Sequence, residues 1–430
     1  MVKTPASAHR SWLPDANDPA TDFPLTHLPY SAVRVANGQH LCVAVGTHLL
    51  DIHACAEAGL IPPSLEIACG APTLNALMAE GPKAWSLLRE TLIQLLAMDS
   101  RHQSTLEGAL HSITGATLIS PVDVPNYTDF YASIHHAMRV GQLFRPDQPL
   151  LPNYKHIPIG YHGRASSIVT SGTSITRPVG QTRPDPDKAV PNYLPTKYLD
   201  YELELALYIG QANSLGTTVP IGKAADRIFG CSLLNDWSAR DIQSWEYQPL
   251  GPFLSKSFAT SVSAWVTPMA ALEPFLVATQ PRPNGDPKLL RYLELSSKES
   301  KLPNLKLEVL ITTRLMRENN LSPFRLSQSN LRDLYWSPAQ LVAHHTSNGC
   351  NLQVGDLLAT GTISGPDESS AGCLLELTRN GSRPLTLPTG EVRSFLSDGD
   401  EITLRGFCEK RGHPRIGLGE CRTMILPAQR

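Results

Sequence analysis

Four acidic side chains stand in unusually apolar or aromatic surroundings. Glu202 and Glu204 alternate with leucines in "YELELALYIG", Asp129 lies in "NYTDFYASIHHA", and Asp236 follows the apolar run from Cys231 to Leu234. Buried like charges cost several kcal/mol each unless they are paired or metal-bound, and ligands that are all oxygen suit a hard divalent ion. The pattern therefore predicts a Ca²⁺ or Mg²⁺ site, provided that the three segments meet.

A simpler interpretation of the alternating glutamates remains open. Side chains alternate between the two faces of a strand, so Glu202 and Glu204 share a face opposite Leu203 and Leu205. Glutamates at alternate positions are also typical of a solvated sheet face, where they cost nothing. The strand alone does not decide between the two.

The segment "DWSARDIQSWEY" favours a helix that presents polar groups on one face. Asp236, Arg240, Gln243 and Tyr247 would then lie at positions i, i+4, i+7 and i+11. Such a row could hold a substrate oxygen against an ion and donate hydrogen bonds to a developing oxyanion. The alternative is an exposed helix face with an ordinary Asp–Arg pair.

His136 is the candidate general base. It follows Asp129 by seven residues, in a segment that also contains Tyr131, His135 and Arg145. Histidine is the usual base near neutral pH, and activation of water is a common task beside a metal ion. A single histidine is more often structural, and we interpret the pair His344-His345 in that way.

Composition and missing motifs exclude several other classes. The 430 residues are 41% apolar, enough for a large core and two domains, and 37 Lys and Arg nearly balance 39 Asp and Glu. This charge balance gives no reason to expect nucleic acid or an anionic membrane as a partner. The sequence contains no GxSxG, HExxH, GxxxxGK[ST] or GxGxxG motif, and its eight cysteines include no CxxC. The first residues lack an apolar signal region, so we expect a cytoplasmic protein.

The elements divide into a small α+β part over residues 1–120 and a β-rich part over 121–430. In the first part, "HLCVAVGTHLLDI" predicts a hairpin at Gly46, and the spacing after Pro82 predicts a helix. In the second, residues 304–313 alternate as a strand, and Ser337-Pro338 begins a helix with a capping box. Asn-Gly and Asp-Gly pairs predict hairpins within 374–387 and 392–407.

Several longer stretches closely resemble the fumarylacetoacetase family, whose members end tyrosine catabolism. They occur in the family's order across nearly the whole chain: "DFYASIHHA", "LLPNYKHIPIGYHGRASSIVTSGT", "DYELELALYIG", "NDWSARDIQSWEYQPLGPFLSKSF", "HHTSNGCNLQVGDLLATGTISG" and "LLEL". The resemblance implies an α+β, mainly β fold, with an N-terminal SH3-like barrel domain and a C-terminal mixed β-roll domain of the fumarylacetoacetase type. It also implies a homodimer that hydrolyses the carbon–carbon bond of 4-fumarylacetoacetate to fumarate and acetoacetate.

The resemblance also assigns roles to individual positions, and it places the catalytic histidine on His136 and not on His135. The Ca²⁺ ligands it implies are Asp129, Glu202, Glu204 and Asp236, and the Mg²⁺ site is Asp236, Lys256 and Thr260. The implied catalytic residues are His136, the Glu376 that orients it, and the oxyanion-stabilising Arg240, Gln243 and Lys256. The implied substrate contacts are Tyr131, Arg145, Tyr161, Gln243, Tyr247 and Thr362.

Two alternatives to this function remain. An acylpyruvate hydrolase, or a hydratase or decarboxylase acting on a 2-oxo acid, shares the fold, the Glu-x-Glu strand and the acidic ligands, although such relatives are usually shorter. A non-catalytic scaffold stabilised by metal would need no base at His136.

Overall fold

The structure is a computed structural model that describes residues 10–36, 38–186, 188–296 and 300–429. Its N-terminal part is an antiparallel five-stranded sheet, in the order β4-β3-β2-β1-β5, accompanied by short helices. The elements are β1 (Tyr30–Val35), β2 (Gly38–Val45), β3 (His48–Asp51), α1 (Ile52–Glu57), α2 (Glu66–Cys69), α3 (Asn75–Ala79), α4 (Pro82–Leu96), α5 (Gln103–Leu106), β4 (Leu110–Ser112) and β5 (Leu118–Ile119).

Two predictions for this part are confirmed. Strands β2 and β3 form the hairpin at Gly46, which has a φ of 58°, a conformation that glycine adopts without strain. Helix α4 begins at Pro82, where the missing N–H costs no hydrogen bond, and it buries Leu88, Leu92 and Leu95.

The C-terminal part contains most of the strands. They are β6 (Tyr127–Phe130), β7 (Gly160–His162), β8 (Ile168–Thr170), β9 (Ile175–Thr176), β10 (Val179–Thr182), β11 (Asn192–Pro195), β12 (Leu199–Asp200), β13 (Leu203–Ile209), β14 (Ile228–Asp236), β15 (Ser238–Ala239), β16 (Thr260–Val262), β17 (Thr267–Pro268), β18 (Leu276–Ala278), β19 (Lys301–Pro303), β20 (Leu305–Thr312), β21 (Phe324–Asn330), β22 (Leu357–Ala359), β23 (Leu385–Thr386), β24 (Val392–Arg393), β25 (Glu401–Lys410) and β26 (His413–Leu426). The helices are α6 (Ile134–Phe144), α7 (Ile221–Ala224), α8 (Arg240–Glu246), α9 (Met269–Leu272), α10 (Arg314–Glu318), α11 (Pro338–His345) and α12 (Leu374–Leu377).

Two large sheets organise this part. One has the order β7-β6-β22-β13-β14-β16-β8, with β17 also paired to β14, and the other has the order β21-β20-β25-β26-β9. Most neighbours are antiparallel, whereas β22 with β6, β16 with β8 and β26 with β9 are parallel. The predicted strand at 304–313 is β20, and the Ser337–Gln340 capping box of α11 is present. The prediction of an α+β, mainly β fold is confirmed.

Strand β13 is buried on both faces. Leu203, Leu205 and Leu207 belong to the core shared with the second large sheet, whereas Ala206 and Tyr208 belong to a core shared with the N-terminal part. Glu202 and Glu204 alternate onto the same side as Ala206, and both are buried. The solvated-face interpretation of the glutamates is therefore wrong.

The two predicted glycine hairpins are also wrong. Residues 374–377 form helix α12, and Asn380-Gly381 follows that helix with left-handed backbone instead of joining two strands. Asp398-Gly399 leads from β24 to β25, which belong to different sheets. The division of the chain at residue 120 stays a prediction.

Candidate active site

The four predicted acids converge from different strands. Asp129 lies on β6, Glu202 immediately precedes β13, Glu204 lies on β13, and Asp236 ends β14. One oxygen from each carboxylate lies within 4.8 Å of the others, and all four side chains are buried. The sheet causes this convergence, because β13 pairs directly with β14 and reaches β6 through β22.

Two of the acids are neutralised by cations of the chain. Arg240 Nη1 lies 2.8 Å from Glu202, and Lys256 binds both Glu202 and Asp236, the latter at 2.7 Å. Burial opposes ionisation of Glu202, but Lys256 and Arg240 outweigh it and lower its pKa to about 2. Burial raises the pKa of Asp236, and Lys256 opposes that shift.

The other two acids have no cation partner among the described residues. Asp129 Oδ1 and Glu204 Oε1 are buried and accept no hydrogen bond from the described part of the chain. Burial, followed by the neighbouring carboxylates, raises the pKa of both groups well above the usual value. Buried acceptors without donors are costly, and a hard divalent cation satisfies several carboxylate oxygens at once. The donor set therefore fits a divalent metal ion.

Gly361 shapes this cluster from the end of β22. Its N–H donates to Glu204 Oε2 at 3.0 Å, its φ is 75°, and a Cβ there would lie 2.1 Å from the carbonyl oxygen of Phe130. We expect Gly361→Ala to lower the free energy of unfolding by more than about 2 kcal/mol, since both the backbone and the contact become strained. Urea unfolding measures the change.

Gly108→Ala is the matched control for that substitution. A Cβ at Gly108 meets no atom within 4 Å, so we expect this variant to unfold like the parent protein. Equal stability of the two variants would show that the Gly361 backbone relaxes without cost.

His136 is held by a network that centres on Glu376. Helix α6 begins after Ser133, whose side chain accepts the His136 N–H, and His136 Nδ1 lies 2.7 Å from Glu376 Oε1 on α12. Ser364 Oγ donates to Glu376 at 2.8 Å and Arg139 Nη1 donates at 3.0 Å. Burial opposes ionisation of Glu376, but His136 and these donors lower its pKa to about 2. An ionised Glu376 only accepts hydrogen bonds, so the proton of neutral His136 lies on Nδ1, and Nε2, which has no hydrogen-bond partner among the described residues, can accept one.

The predicted substrate residues lie at different places relative to the His136–Glu376 pair. The Tyr131 ring lies edge-on to His136 at 5.3 Å, and Thr362 is buried just after Gly361. Tyr161 donates to Asp236 Oδ2 at 2.9 Å, so it lies at the acidic cluster. Tyr247 is 39% exposed at the end of α8. Arg145 follows the end of α6, close enough to Tyr131 to oppose the rise in the pKa of that phenol that burial causes.

The prediction that four polar groups share one helix face is wrong for Asp236, which does not belong to the helix. Asp236 still belongs to β14, where it pairs with Thr260 on β16, and the chain stays extended until α8 begins at Arg240. Arg240 and Gln243 do meet on α8, with Arg240 Nη1 donating to Gln243 Oε1 at 3.1 Å. Asp236 nevertheless reaches the site, because its strand ends there.

Four contacting residues were missed by the sequence analysis: Arg139, Asp200, Glu246 and Ser364. Glu246 accepts the backbone N–H groups of Phe253, Leu254 and Ser255, and so fixes the loop before Lys256. Arg139 lies three residues after His136, which is the spacing of neighbours on one helix face. Asp200 precedes the Glu-x-Glu strand and is a fifth acid in apolar surroundings. The sequence therefore contained a signal for Arg139, in its spacing from His136, and for Asp200, in its apolar surroundings.

Two family profiles and several relatives match nearly the whole chain. The family profile described as Fumarylacetoacetate (FAA) hydrolase C-terminal matches residues 126–426, and the one described as Fumarylacetoacetase N-terminal matches residues 26–121. The chain is 44% identical to the fumarylacetoacetase of Bos taurus over 97% of this chain and 99% of that protein. It is 46% identical to that of Caenorhabditis elegans, over 95% and 97%, and 43% identical to that of Homo sapiens, over 97% and 99%.

A solved structure shows the same fold at much lower identity. The fumarylacetoacetate hydrolase of Exiguobacterium antarcticum superposes with a TM-score of 0.52 at 16% identity, over 94% of this chain and 100% of that one. The two profiles and the relatives matched over nearly their whole length show that this chain belongs to the fumarylacetoacetase family.

Proposed function

We propose that this protein hydrolyses 4-fumarylacetoacetate to fumarate and acetoacetate, and that the site described above is its active site. The observation that carries the proposal is the buried His136–Glu376 pair, with its free Nε2, close to the four-acid cluster. The relatives named fumarylacetoacetase span nearly the whole chain, which favours this reaction over that of an acylpyruvate hydrolase or a 2-oxo acid hydratase.

His136 is the general base of the proposed reaction. Its Nε2 removes a proton from water, while Glu376 holds the Nδ1–H and stabilises the imidazolium that forms. The water oxygen bonds to the fumaroyl carbonyl carbon next to the bond that breaks. Electrostatic contact between His136 and Glu202, which helps to lower the pKa of Glu202, supports a position of the base beside the acidic cluster.

Arg240, Gln243 and Lys256 are the proposed donors to the tetrahedral oxyanion. Arg240 Nη2 is buried and makes no hydrogen bond of good geometry within the described residues, although it lies 2.9 Å from Asp200. Gln243 accepts from Arg240 through Oε1, which leaves its amide N–H groups for substrate. When the carbon–carbon bond breaks, its electron pair goes to the acetoacetate carbon, which then takes up the proton that His136 removed from water. A divalent ion held by the four acids would supply positive charge for the β-diketone oxygens of the substrate.

We propose Ca²⁺ for the cluster of Asp129, Glu202, Glu204 and Asp236, because irregular sets of carboxylates suit its flexible coordination. Asp236 with Lys256 and Thr260 is the proposed Mg²⁺ site. The Lys256 ammonium is occupied by Glu202 and Asp236 and has no lone pair to give, so its contribution there would be a backbone carbonyl. Thr260 Oγ1 lies 3.4 Å from Asp236 Oδ1.

The remaining site residues are the proposed substrate contacts. Arg145 carries the charge that suits a terminal carboxylate, and its Nε is buried without a hydrogen bond among the described residues. The other proposed contacts to the substrate are the hydroxyl groups of Tyr131, Tyr161, Tyr247 and Thr362 and the amide of Gln243.

We also propose a cytoplasmic homodimer built from an N-terminal domain, residues 1–120, and a catalytic domain, residues 121–430. Support for a dimer comes from large apolar side chains on the surface beside the site, with Leu250 94% and Phe253 68% exposed. Among the described residues, no helix is long and apolar enough to cross a membrane.

The direct test is turnover by the purified protein with divalent ions present. We expect the absorbance of fumarylacetoacetate to disappear, with fumarate and acetoacetate formed in equal amounts, and an acylpyruvate to be cleaved much more slowly. A protein that cleaves only the acylpyruvate would support the runner-up activity, and one that cleaves neither would support a non-catalytic role.

A further inference from the structure

Asp200 is a buried carboxylate that the proposed chemistry does not use. It lies on β12 with 0% exposure, next to Tyr201 and two residues before the proposed ligand Glu202. A carboxylate in such a place is stable only when donors surround it. Its partners therefore indicate what it does.

Backbone donors from two segments fix this carboxylate. Asp200 Oδ1 accepts the N–H groups of Tyr201 at 2.9 Å and Leu374 at 2.8 Å, and Oδ2 accepts that of Leu375 at 2.9 Å. Leu374 and Leu375 begin the short helix that carries Glu376. Asp200 is thus attached to rigid backbone and has little freedom to move.

The remaining contact of Asp200 is Arg240. Its Oδ2 accepts Arg240 Nε at 3.0 Å and lies 2.9 Å from Nη2, and Glu202 lies 2.8 Å from Nη1 on the other side of the guanidinium. Without Asp200, the attraction of Glu202 for the guanidinium would be unopposed, and Nη2 would turn away from its present direction. Oxyanion donors work only when they are aimed before the charge forms.

We propose that Asp200 is a positioning residue that holds the Arg240 guanidinium between itself and Glu202, so that the N–H of Nη2 that does not face Asp200 stays available to the oxyanion. This inference rests on the proposed function of the site. It predicts an effect on kcat and little effect on KM, because Arg240 meets a charge that is present only in the transition state.

The test compares Asp200→Asn with a matched buried pair elsewhere in the chain. Asp400 is 1% exposed, accepts from Arg393 at 2.8 and 3.0 Å, and also accepts the Ser397 N–H. We expect D200N to lower kcat by about 10- to 100-fold with KM within about threefold, as misplaced catalytic donors do. D400N should keep kcat within about twofold even where its melting temperature falls.

Two further variants show whether Asp200 acts through Arg240. The kcat of the double variant D200N/R240Q should lie much closer to that of R240Q than the kcat of D200N lies to that of the parent, because residues that act together give non-additive losses. The double variant lacks both the Asp200 carboxylate and the Arg240 guanidinium, so neither is left buried without the other. It can therefore be compared with R240Q even where D200N alone does not fold.

The outcomes separate this inference from the function on which it rests. A parent protein without turnover contradicts the proposed function and removes the role of Asp200 with it. An active parent with D200N equal to D400N in kcat overturns the positioning role alone. A double variant whose kcat is more than about tenfold below that of R240Q also overturns the positioning role.

Discussion

Replacement of His136 by alanine should lower kcat by about 10²-fold or more while the protein stays folded and binds its ion, which is the usual scale for loss of a general base. His136 is the buried histidine whose Nδ1 is held by Glu376 and whose Nε2 is free. Steady-state turnover of fumarylacetoacetate, together with thermal unfolding and Ca²⁺ titration of the same preparation, measures the three properties.

His135→Ala is the matched control, since it removes the same side chain one residue earlier on α6. Adjacent helical side chains point about 100° apart, and His135 is half-buried near Arg139 and Asp333, whereas the hydrogen bond to Glu376 is made by His136. We expect a much smaller loss for His135→Ala, with Glu376→Gln between the two because it keeps an acceptor and loses the charge. An inactive His135→Ala beside a nearly normal His136→Ala would mean that the base is the other histidine.

Three acids of the candidate site could be predicted from the sequence because each interrupts a local apolar pattern. Glu202, Glu204 and Asp236 interrupt apolar strands, and their burial around a common point is what such interruptions predict. Lys256, Thr260 and Glu376 had no local signal of that kind and came from the family resemblance alone. Their contacts with Asp236 and His136 bridge 20 to 240 positions of the sequence, a distance that local spacing cannot describe.

Predictions from local patterns were wrong where one sequence signal is compatible with two conformations. An Asn-Gly pair is typical of a hairpin, yet left-handed Asn380 and Gly381 also suit the end of a helix, and here they follow α12. The segment after Asp236 has helical spacing, but pairing with β16 and β12 keeps it extended as far as Ala239. Both errors arise because partners distant in sequence decide between conformations that the local sequence permits equally.

Removal of divalent ions should abolish turnover and lower the melting temperature, and restored Ca²⁺ should recover both. One oxygen from each of four buried carboxylates lies within 4.8 Å of the others, and two of these carboxylates, Asp129 and Glu204, have an oxygen that accepts no hydrogen bond from the described residues. An ion that binds only the folded chain stabilises it, by about 2.7 kcal/mol at a concentration of 100 times Kd. Activity and calorimetry before and after chelation, with the metal content verified, measure the effect.

The two glutamates should respond differently to loss of their charge, because only Glu202 has cation partners. Glu202→Gln leaves Lys256 and Arg240 with less compensation, so it should lower the melting temperature of the ion-free protein. In Glu204, burial and the neighbouring acids raise the pKa and oppose ionisation, so Glu204→Gln should leave the ion-free protein melting at the same temperature or higher. Its rise in melting temperature on addition of Ca²⁺ should shrink.

Glu90→Gln, on the exposed side of α4, should leave both the ion-free melting temperature and the response to Ca²⁺ unchanged. The lower melting temperature expected for Glu202→Gln, and the equal or higher one expected for Glu204→Gln, in the ion-free protein distinguish an ion site from a cluster that only stabilises the fold. In a purely structural cluster, loss of either carboxylate would cost stability whether or not Ca²⁺ is present. A Glu204→Gln protein that melts lower without ions and gains as much from Ca²⁺ as the parent would therefore rule out Glu204 as a ligand.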